Sequence, residues 1–265
     1  IWLWGLFLFG NQPSEAFCVS KCEHEVETRC VRPLRVSPKR AFFIRKMGEN
    51  MSLKYITEIL PALFSGVGMT LNIFFWTLIL ATPLGILVSL GEMSKIKPLK
   101  WVVNFYVWIM RGTPLLLQLI FVFYGLPIIH IVFPRYQAAL FAFVLNYAAY
   151  FAEIFRGGFQ SIDQGQFEAA QVLRLNRWQT MTKIIIPQVI KIVLPSIGNE
   201  VINLVKDSSL VYVIGLGDLL RAGNVAMARD VTLVPLVLVG VIYLLLISIC
   251  AFILKRLEKH FSYYK

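Results

Sequence analysis

The stretch ILPALFSGVGMTLNIFFWTLILATPLGILVSLG, residues 59–91, contains no Asp, Glu, Lys or Arg. A hydrocarbon core about 30 Å thick is crossed by roughly 20 apolar residues in helical form, so this stretch is long enough to span a bilayer. Three further uncharged stretches are also long enough: 112–134, 136–152 and 231–254. A fifth, 184–205, is apolar but carries Lys191 and Glu200. The pattern predicts an all-α membrane protein with five transmembrane helices, because runs this long and uniform do not suit alternating barrel strands.

The composition favours the same class. The chain is 57% hydrophobic and 15% charged, whereas soluble domains average about 45–50% apolar and about 25% charged residues. The net charge of +11 could indicate nucleic acid, but the basic residues lie in short clusters between the apolar stretches. From residue 51 onward, eleven Lys and Arg fall on one side of the five spans and five on the other. The positive-inside rule therefore places Glu168 and the C-terminus in the cytoplasm and the start of the first span outside. We expect no nucleic-acid partner.

Residues 1–50 do not fit this pattern. The apolar stretch IWLWGLFLFG at residues 1–10 is too short to span a membrane and is more typical of the remnant of a signal-type segment. No common zinc spacing is matched by the four candidate ligands Cys18, Cys22, His24 and Cys30, so we expect no metal site. The chain begins with isoleucine, and Met51 is typical of a natural start. We expect 1–50 to be an N-terminal extension, non-native or poorly ordered, and 51–265 to form one membrane domain with a transmembrane core of about 60–257.

The sequence contains no catalytic set. It has no G-x-x-x-x-G-K-[ST] phosphate loop, so the chain does not hydrolyse ATP in the usual way. Gly215 and Gly217 form an isolated pair, which is more often a turn than a dinucleotide site. The histidines, His24, His130 and His260, are scattered along the chain. We expect neither enzyme activity nor a cofactor in this chain.

A polar segment, EAAQVLRLNRWQTMTKIIIPQ at residues 168–188, separates the third and fourth spans. Asp163 is a candidate N-cap, and Phe167, Ala170 and Leu173 recur at helical spacing. A short amphipathic helix of this kind can lie on the membrane surface or can dock a soluble partner. The residues alone leave both interpretations open.

The fourth span is polar and contains Pro187 and Pro195, which together predict a broken helix. A charge near the middle of a bilayer costs about 2.5–3.5 kcal/mol on insertion scales, so Glu200 should face the bundle interior or water. One interpretation is a structural ion pair with Arg111 or Lys191. The other is a solute pathway that offers donors and acceptors to an amino acid zwitterion. Its candidate residues are Asn146, Tyr150, Glu153, Asn199, Glu200 and Asn203.

Several motifs in the same order resemble one family. Glu168-Ala169-Ala170, followed by Ile186-Pro187, resembles the cytoplasmic EAA motif of permease subunits from bacterial ABC importers. Further motifs are similar to the polar amino acid branch of that family: RGTPLLLQL (111–119), YGLP (124–127), AEIFRGG (152–158), RWQTM (177–181) and LVKDSSLV (204–211). The similarity covers residues 51–265.

The resemblance implies the type I ABC importer permease fold, with short cytoplasmic coupling helices between spans 3 and 4. It implies a multi-pass subunit of the bacterial plasma (inner) membrane that imports polar or charged amino acids. The implied partners are two ABC ATPase subunits that hold ATP and Mg, a second permease subunit, an extracellular solute-binding protein and membrane lipid.

Coupling to the ATPase is implied for Gly165, Glu168, Ala169, Ala170 and Arg174. The family usually has glycine where this chain has Arg174. Because arginine adopts a positive φ only at a cost, we expect the bend there to be relocated or gentler.

The alternative function is an ion-gradient-driven secondary transporter or channel for small solutes. That class predicts inverted internal repeats and no docking helix, whereas this sequence has no repeat of useful period. A membrane scaffold would not explain the polar fourth span. The sequence leaves open which amino acid is carried and whether the pore is a homodimer or a heterodimer.

Overall fold

The computed structural model describes residues 53–261, and the expectations for residues 1–50 lie outside this range. The described residues are mostly helical and contain no β-strand. Their helices are α1 (Leu53–Glu92), α2 (Lys97–Gly112), α3 (Leu115–Ile120), α4 (Arg135–Gln160), α5 (Gln164–Val172), α6 (Arg177–Thr180), α7 (Ile186–Asp207), α8 (Leu219–Asp230) and α9 (Val234–Phe261). A π turn (Phe121–Gly125) and a 3₁₀ turn (Leu126–Ile129) extend α3, a π turn (Met181–Ile185) joins α6 to α7, and a 3₁₀ turn (Ser208–Ile214) follows α7.

Four helical runs are long and apolar enough to cross a membrane: Tyr55–Glu92, Arg135–Gln160, Arg177–Ile214 and Val234–Phe261. The helix α2 and the run Leu115–Ile129 qualify together as a fifth span, bent by 105° where they meet. The prediction of an all-α protein with five spans is therefore confirmed for residues 53–261. We call the end of the bundle that carries α5 the Glu168 end, and the opposite end, between α3 and α4, the His130 end.

The bend between α2 and α3 is set by Pro114. Thr113 and Pro114 both have extended backbone, with ψ of 144° and 136°, because proline disfavours helical geometry in the residue before it. One side of α2 exposes a row of stacked aromatic rings, Trp101, Phe105 and Trp108, with centroids 5.8 and 6.0 Å apart. Such rings favour the membrane–water interface. The 105° bend therefore sets α2 apart from the helical run that follows it.

The centre of the bundle is α4, whose buried face is rich in alanine. The long helix α1 lies against it at Gly85, where an added Cβ would be 2.7 Å from Phe151 Cβ. At Gly66 an added Cβ would be 2.8 Å from the Asp218 carbonyl oxygen, whereas nothing lies within 4 Å of Gly68. The helix α1 therefore approaches its neighbours closely at Gly66 and Gly85, where small residues allow helix packing in a membrane.

The helix α7 is continuous from Ile186 to Asp207, so the predicted break in the fourth span is wrong. Pro187 lies in the first turn, where a missing N–H costs little. Pro195 lies inside the helix on an exposed side. Its ring removes a single backbone hydrogen bond, which a membrane helix tolerates. The irregular backbone lies instead at the two ends of α7, in the π turn and the 3₁₀ turn.

A buried carboxylate begins α8. The side chain of Asp218 is 0% exposed and caps the helix by accepting hydrogen bonds from the N–H groups of Leu220 (3.1 Å) and Arg221 (3.2 Å). Burial raises the pKa of Asp218 to about 6, against the opposing effect of these two donors. The folded protein therefore binds a proton at this site at a higher pH than the unfolded chain does.

Candidate functional site

A polar cavity of about 520 Å³ lies beside the middle of α4. Its walls come from the start of α3, from α4, and from α7 with its 3₁₀ turn. Its polar lining residues are Thr113, Asn146, Tyr147, Tyr150, Glu200, Asn203, Lys206 and Asp207. The volume falls in the range of about 300–1,000 Å³ that is typical of small-molecule sites. Polar groups midway along a membrane bundle are where transporters hold their solutes.

The wall formed by α7 carries charges of both signs. Asp207 accepts a hydrogen bond of 2.8 Å from Tyr147 Oη, and the Tyr147 side chain is only 2% exposed. Glu200 lies two helical turns earlier, and neither predicted ion pair of Glu200, with Arg111 or Lys191, is formed within the described chain. Lys206 adds an ammonium group to the lining. This arrangement suits a ligand that carries both an ammonium and a carboxylate.

Four of the six predicted pathway residues line the cavity: Asn146, Tyr150, Glu200 and Asn203. Asn199 is exposed and lies outside the lining, because successive helical residues point about 100° apart. The prediction missed four polar lining residues: Thr113, Tyr147, Lys206 and Asp207. Lys206 and Asp207 could have been found from the sequence, because they form a charged pair at the end of an apolar run. Ionisable groups inside membrane segments mark solute pathways.

Glu153, the sixth predicted residue, lies in a separate charged cluster nearer the Glu168 end. It pairs with Arg156, and its Oε1 is 3.5 Å from Arg111 Nη1. The Arg156 Nε is 3.8 Å from Oε2 of Glu92, whose side chain is 4% exposed. The Arg111 guanidinium also lies 5.6 Å from the ring centroid of Tyr150. The structure therefore places Glu153 in a tie between α1, α2 and α4, beside the cavity rather than in it.

Two side-chain amides tie the bend at Thr113 to α4. Gln118 Nε2 donates to the Met110 carbonyl (2.9 Å), the Thr113 carbonyl (3.2 Å) and Thr113 Oγ1 (2.7 Å). Asn146 Nδ2 donates to the Met110 carbonyl (3.0 Å) and to Gln118 Oε1 (3.0 Å). These bonds satisfy carbonyl groups that the end of α2 leaves without helical partners.

At the Glu168 end, α5 begins with the predicted N-cap. Asp163 Oδ1 accepts a hydrogen bond of 2.6 Å from the Gly165 N–H. Glu168 and Ala169 are exposed, whereas Ala170 is 1% exposed and faces the rest of the chain. Of the two alanines implied in coupling, Ala170 therefore packs against its own chain and only Ala169 faces outward.

Arg174 ends α5 in a left-handed backbone conformation, with φ of 56°. Its N–H donates to the Gln171 carbonyl (2.9 Å), and the Leu175 N–H donates to the Ala170 carbonyl (3.0 Å). These two bonds form a Schellman motif, in which glycine usually occupies the left-handed position. The expectation of a relocated or gentler bend is therefore wrong, because arginine itself adopts the conformation that glycine would.

Three large apolar residues that follow Glu168 in the sequence are exposed: Val172 (83% exposed), Leu173 (69%) and Trp178 (77%). Helical spacing predicts Leu173 on the same face as Ala170, but the helix ends at Val172 and the turn rotates Leu173 outward. Exposed apolar residues outside the spans are candidates for an interaction surface. Elsewhere in the described chain, no group of three His, Cys, Asp or Glu could hold a metal ion.

The chain is similar to known proteins over most of its length. A family model described as a binding-protein-dependent transport system inner membrane component matches residues 81–263. The probable amino-acid ABC transporter permease protein YckA of Bacillus subtilis is 39% identical over 80% of this chain and 94% of its own length. The arginine transport system permease protein ArtQ of the same species is 41% identical, with coverage of 79% and 97%. A putative glutamine transport system permease protein GlnP of Rickettsia typhi is 35% identical, with coverage of 78% and 97%.

Solved structures agree with the sequence matches. A crystal structure of an amino acid ABC transporter with histidines superposes with a TM-score of 0.74 at 34% identity, covering 79% of this chain and 99% of that one. An inward-facing structure of the MetNI methionine ABC transporter superposes with a TM-score of 0.62 at 19% identity, covering 80% and 100%. The second match shows a shared fold.

Proposed function

The chain belongs to the family of inner membrane components of binding-protein-dependent transport systems, as an amino-acid ABC transporter permease, and we propose that its cavity is the translocation site for polar or charged amino acids. The observation that carries this proposal is the set of charges on α7, with Glu200, Lys206 and Asp207 lining one cavity midway along the bundle. Its relatives include permeases named for arginine and for glutamine transport.

The cavity would recognise the part that all amino acids share. Glu200 and Asp207 would face the α-ammonium group of the substrate, and Lys206 would face its α-carboxylate. Opposite charges attract more strongly in a bundle interior than in bulk water, so these contacts can replace the hydration of the zwitterion. The hydrogen bond from Tyr147 would hold the Asp207 carboxylate in place. Asn203 and Tyr150 would complete the wall.

The exposed surface at the Glu168 end would dock an ABC ATPase. Glu168 offers a charge for pairing, and Ala169, Val172, Leu173 and Trp178 offer apolar contact around it. Gly165 and Arg174 would shape the two ends of the docking helix. A Cβ at Gly165 would lie 2.9 Å from Asp163 Oδ1 and would disturb the N-cap. ATP and Mg would be held by two ATPase subunits rather than by this chain.

The orientation follows from the charges between the spans. The protein is a multi-pass membrane component with its permease domain over 51–265, and we place the Glu168 end and the C-terminus in the cytoplasm. The His130 end and the N-terminus of the permease domain would face outward, where a solute-binding protein would deliver the amino acid. A second permease subunit, identical or different, would complete the pore within the lipid.

Reconstitution tests this proposal. The permease would be combined with its ATPase and solute-binding protein in proteoliposomes, and uptake of a panel of radiolabelled amino acids would be measured with and without ATP. Removing a charge-assisted hydrogen bond costs about 1.5–3 kcal/mol, so Glu200→Gln and Asp207→Asn should each lower uptake by about tenfold or more. The matched control is Glu58→Gln, at an exposed carboxylate on α1. Equal uptake by Glu200→Gln and Glu58→Gln would refute the assignment of the cavity.

A second experiment separates docking from substrate binding. Glu168→Lys should weaken co-purification of the ATPase and lower ATP-driven uptake, because it reverses the charge at the docking surface. Glu58→Lys makes the same charge reversal at the opposite end and should leave co-purification of the ATPase unchanged. Concentrative uptake by the permease without any ATPase would contradict the ATP-driven mechanism.

A further inference from the structure

We propose that Gln118 is a positioning residue that fixes the Asn146 amide, so that Asn146 presents only its carbonyl oxygen to the cavity. This inference rests on the proposed function of the cavity as the translocation site. It adds a residue that lies outside the cavity lining and acts on the substrate through Asn146.

The orientation of both amides follows from their backbone partners. The Met110 and Thr113 carbonyl oxygens can only accept hydrogen bonds, so the amide group 2.9 and 3.2 Å away must be the NH₂ of Gln118. That orientation turns Gln118 Oε1 toward α4. Asn146 must then direct its own NH₂ at Gln118 Oε1 and at the Met110 carbonyl, each 3.0 Å away. Both hydrogens of the Asn146 amide are thereby used.

The atom left for a substrate is Asn146 Oδ1. No residue of the described chain donates a hydrogen bond to it, while the side chain is 3% exposed and lines the cavity. Asn146 is therefore an acceptor in this site, although an asparagine amide can also donate. An acceptor beside the carboxylates of Glu200 and Asp207 favours the ammonium end of an amino acid and disfavours its carboxylate end.

The same contacts fix the shape of the wall. Gln118 reaches from α3 back across the bend to the last turn of α2, and one of its three acceptors, Thr113, is itself a lining residue. A rotation of the Gln118 amide would release Thr113 and allow the Asn146 amide to turn over. We therefore expect Gln118 to control substrate affinity more than the rate of the transport cycle.

The test uses the complete reconstituted transporter and its transported amino acid. Gln118→Glu keeps the shape of the side chain but replaces its donor with an oxygen that faces carbonyl groups. We expect the KM for uptake to rise about tenfold, with the maximal rate within about threefold of the wild type. The matched control is Gln137→Glu, the same change at an exposed position of α4, which should leave both parameters unchanged. If Gln118→Glu does not assemble, Gln118→Met removes the same hydrogen bonds without adding charge.

A double-mutant cycle identifies action through Asn146. Asn146→Ala should raise the KM by a similar factor, and adding the Gln118 change to it should raise the KM by less than about twofold more. Additive effects on the KM, or an unchanged KM in both Gln118 variants, would overturn the inference. A wild-type transporter that moves no amino acid would instead refute the proposed function, so the two failures are distinguishable.

Discussion

Arg174 holds a left-handed backbone at the end of α5, and glycine at this position should stabilise the turn. Left-handed geometry costs a residue with a Cβ about 1–2 kcal/mol. Glycine loses about 0.5–1 kcal/mol more backbone entropy on folding than alanine does. The middle of these ranges gives a net gain of about 0.7 kcal/mol, which corresponds to about a threefold change in the local opening equilibrium.

The comparison that isolates this effect is Arg174→Gly against Arg174→Ala. Both variants lose the arginine side chain, and only the alanine variant keeps the Cβ that strains the turn. Hydrogen exchange of the amides in residues 164–175 of the purified protein would be measured by mass spectrometry, with peptides from α9 as an internal reference. We expect exchange about threefold slower in the glycine variant than in the alanine variant. Equal or faster exchange in the glycine variant would refute the assignment of strain to the backbone of Arg174.

Three further predictions concern packing, protonation and the cavity. Gly85→Ala should destabilise the purified protein by about 1–3 kcal/mol, because its Cβ would lie 2.7 Å from Phe151 Cβ. Gly68→Ala, on the same helix with open space around it, should leave the thermal midpoint unchanged or raise it, and equal midpoints for the two variants would contradict this. The pKa of Asp218 is raised from 3.8 to about 6, so protonation of this residue stabilises the folded state. That contribution to the free energy of unfolding is full below about pH 4 and is lost as the pH rises through 6. From pH 5 to pH 7 the free energy of unfolding should therefore fall by about 1.3 kcal/mol more in the wild type than in Asp218→Asn, and parallel pH profiles would refute this. Tyr147→Phe removes the donor to Asp207 and should raise the KM for uptake by about tenfold, whereas an unchanged KM would show that this hydrogen bond does not hold the carboxylate for substrate.

The spans could be predicted from the sequence because the thickness of a bilayer imposes a length on every uncharged helix. The N-cap at Asp163 was also predictable, because its chemistry is local. Pro195 was misleading because its effect on the helix is not decided locally. A proline removes one local hydrogen bond, but whether the helix then breaks depends on the helices around it.

The candidate site was partly predictable. Glu200 and Glu153 are both acidic residues within apolar runs, and their sequence contexts do not distinguish them. The structure distinguishes the two residues, because Glu153 is paired with Arg111 and Arg156, whereas Glu200 has no ion-pair partner in the described chain. Tyr147 was missed because aromatic residues are common in membrane helices, and only the rotation of α4 turns its hydroxyl toward Asp207. Arg174 shows that a residue type with a low preference for a conformation still adopts it where two backbone hydrogen bonds fix the turn.

The uninterrupted helical run from Arg177 to Ile214 has a mechanical consequence. From Arg177 to Lys206 the run is about 43 Å long at a rise of about 1.5 Å per residue. If a rod of this length tilts by about 5° around its N-terminal end at Arg177, its other end moves by about 4 Å. This displacement exceeds the length of a hydrogen bond. A small rotation at Arg177 would therefore be enough to move Lys206 and Asp207 away from a bound solute. If the helix bent freely at Pro195, the same rotation would not reach these two residues.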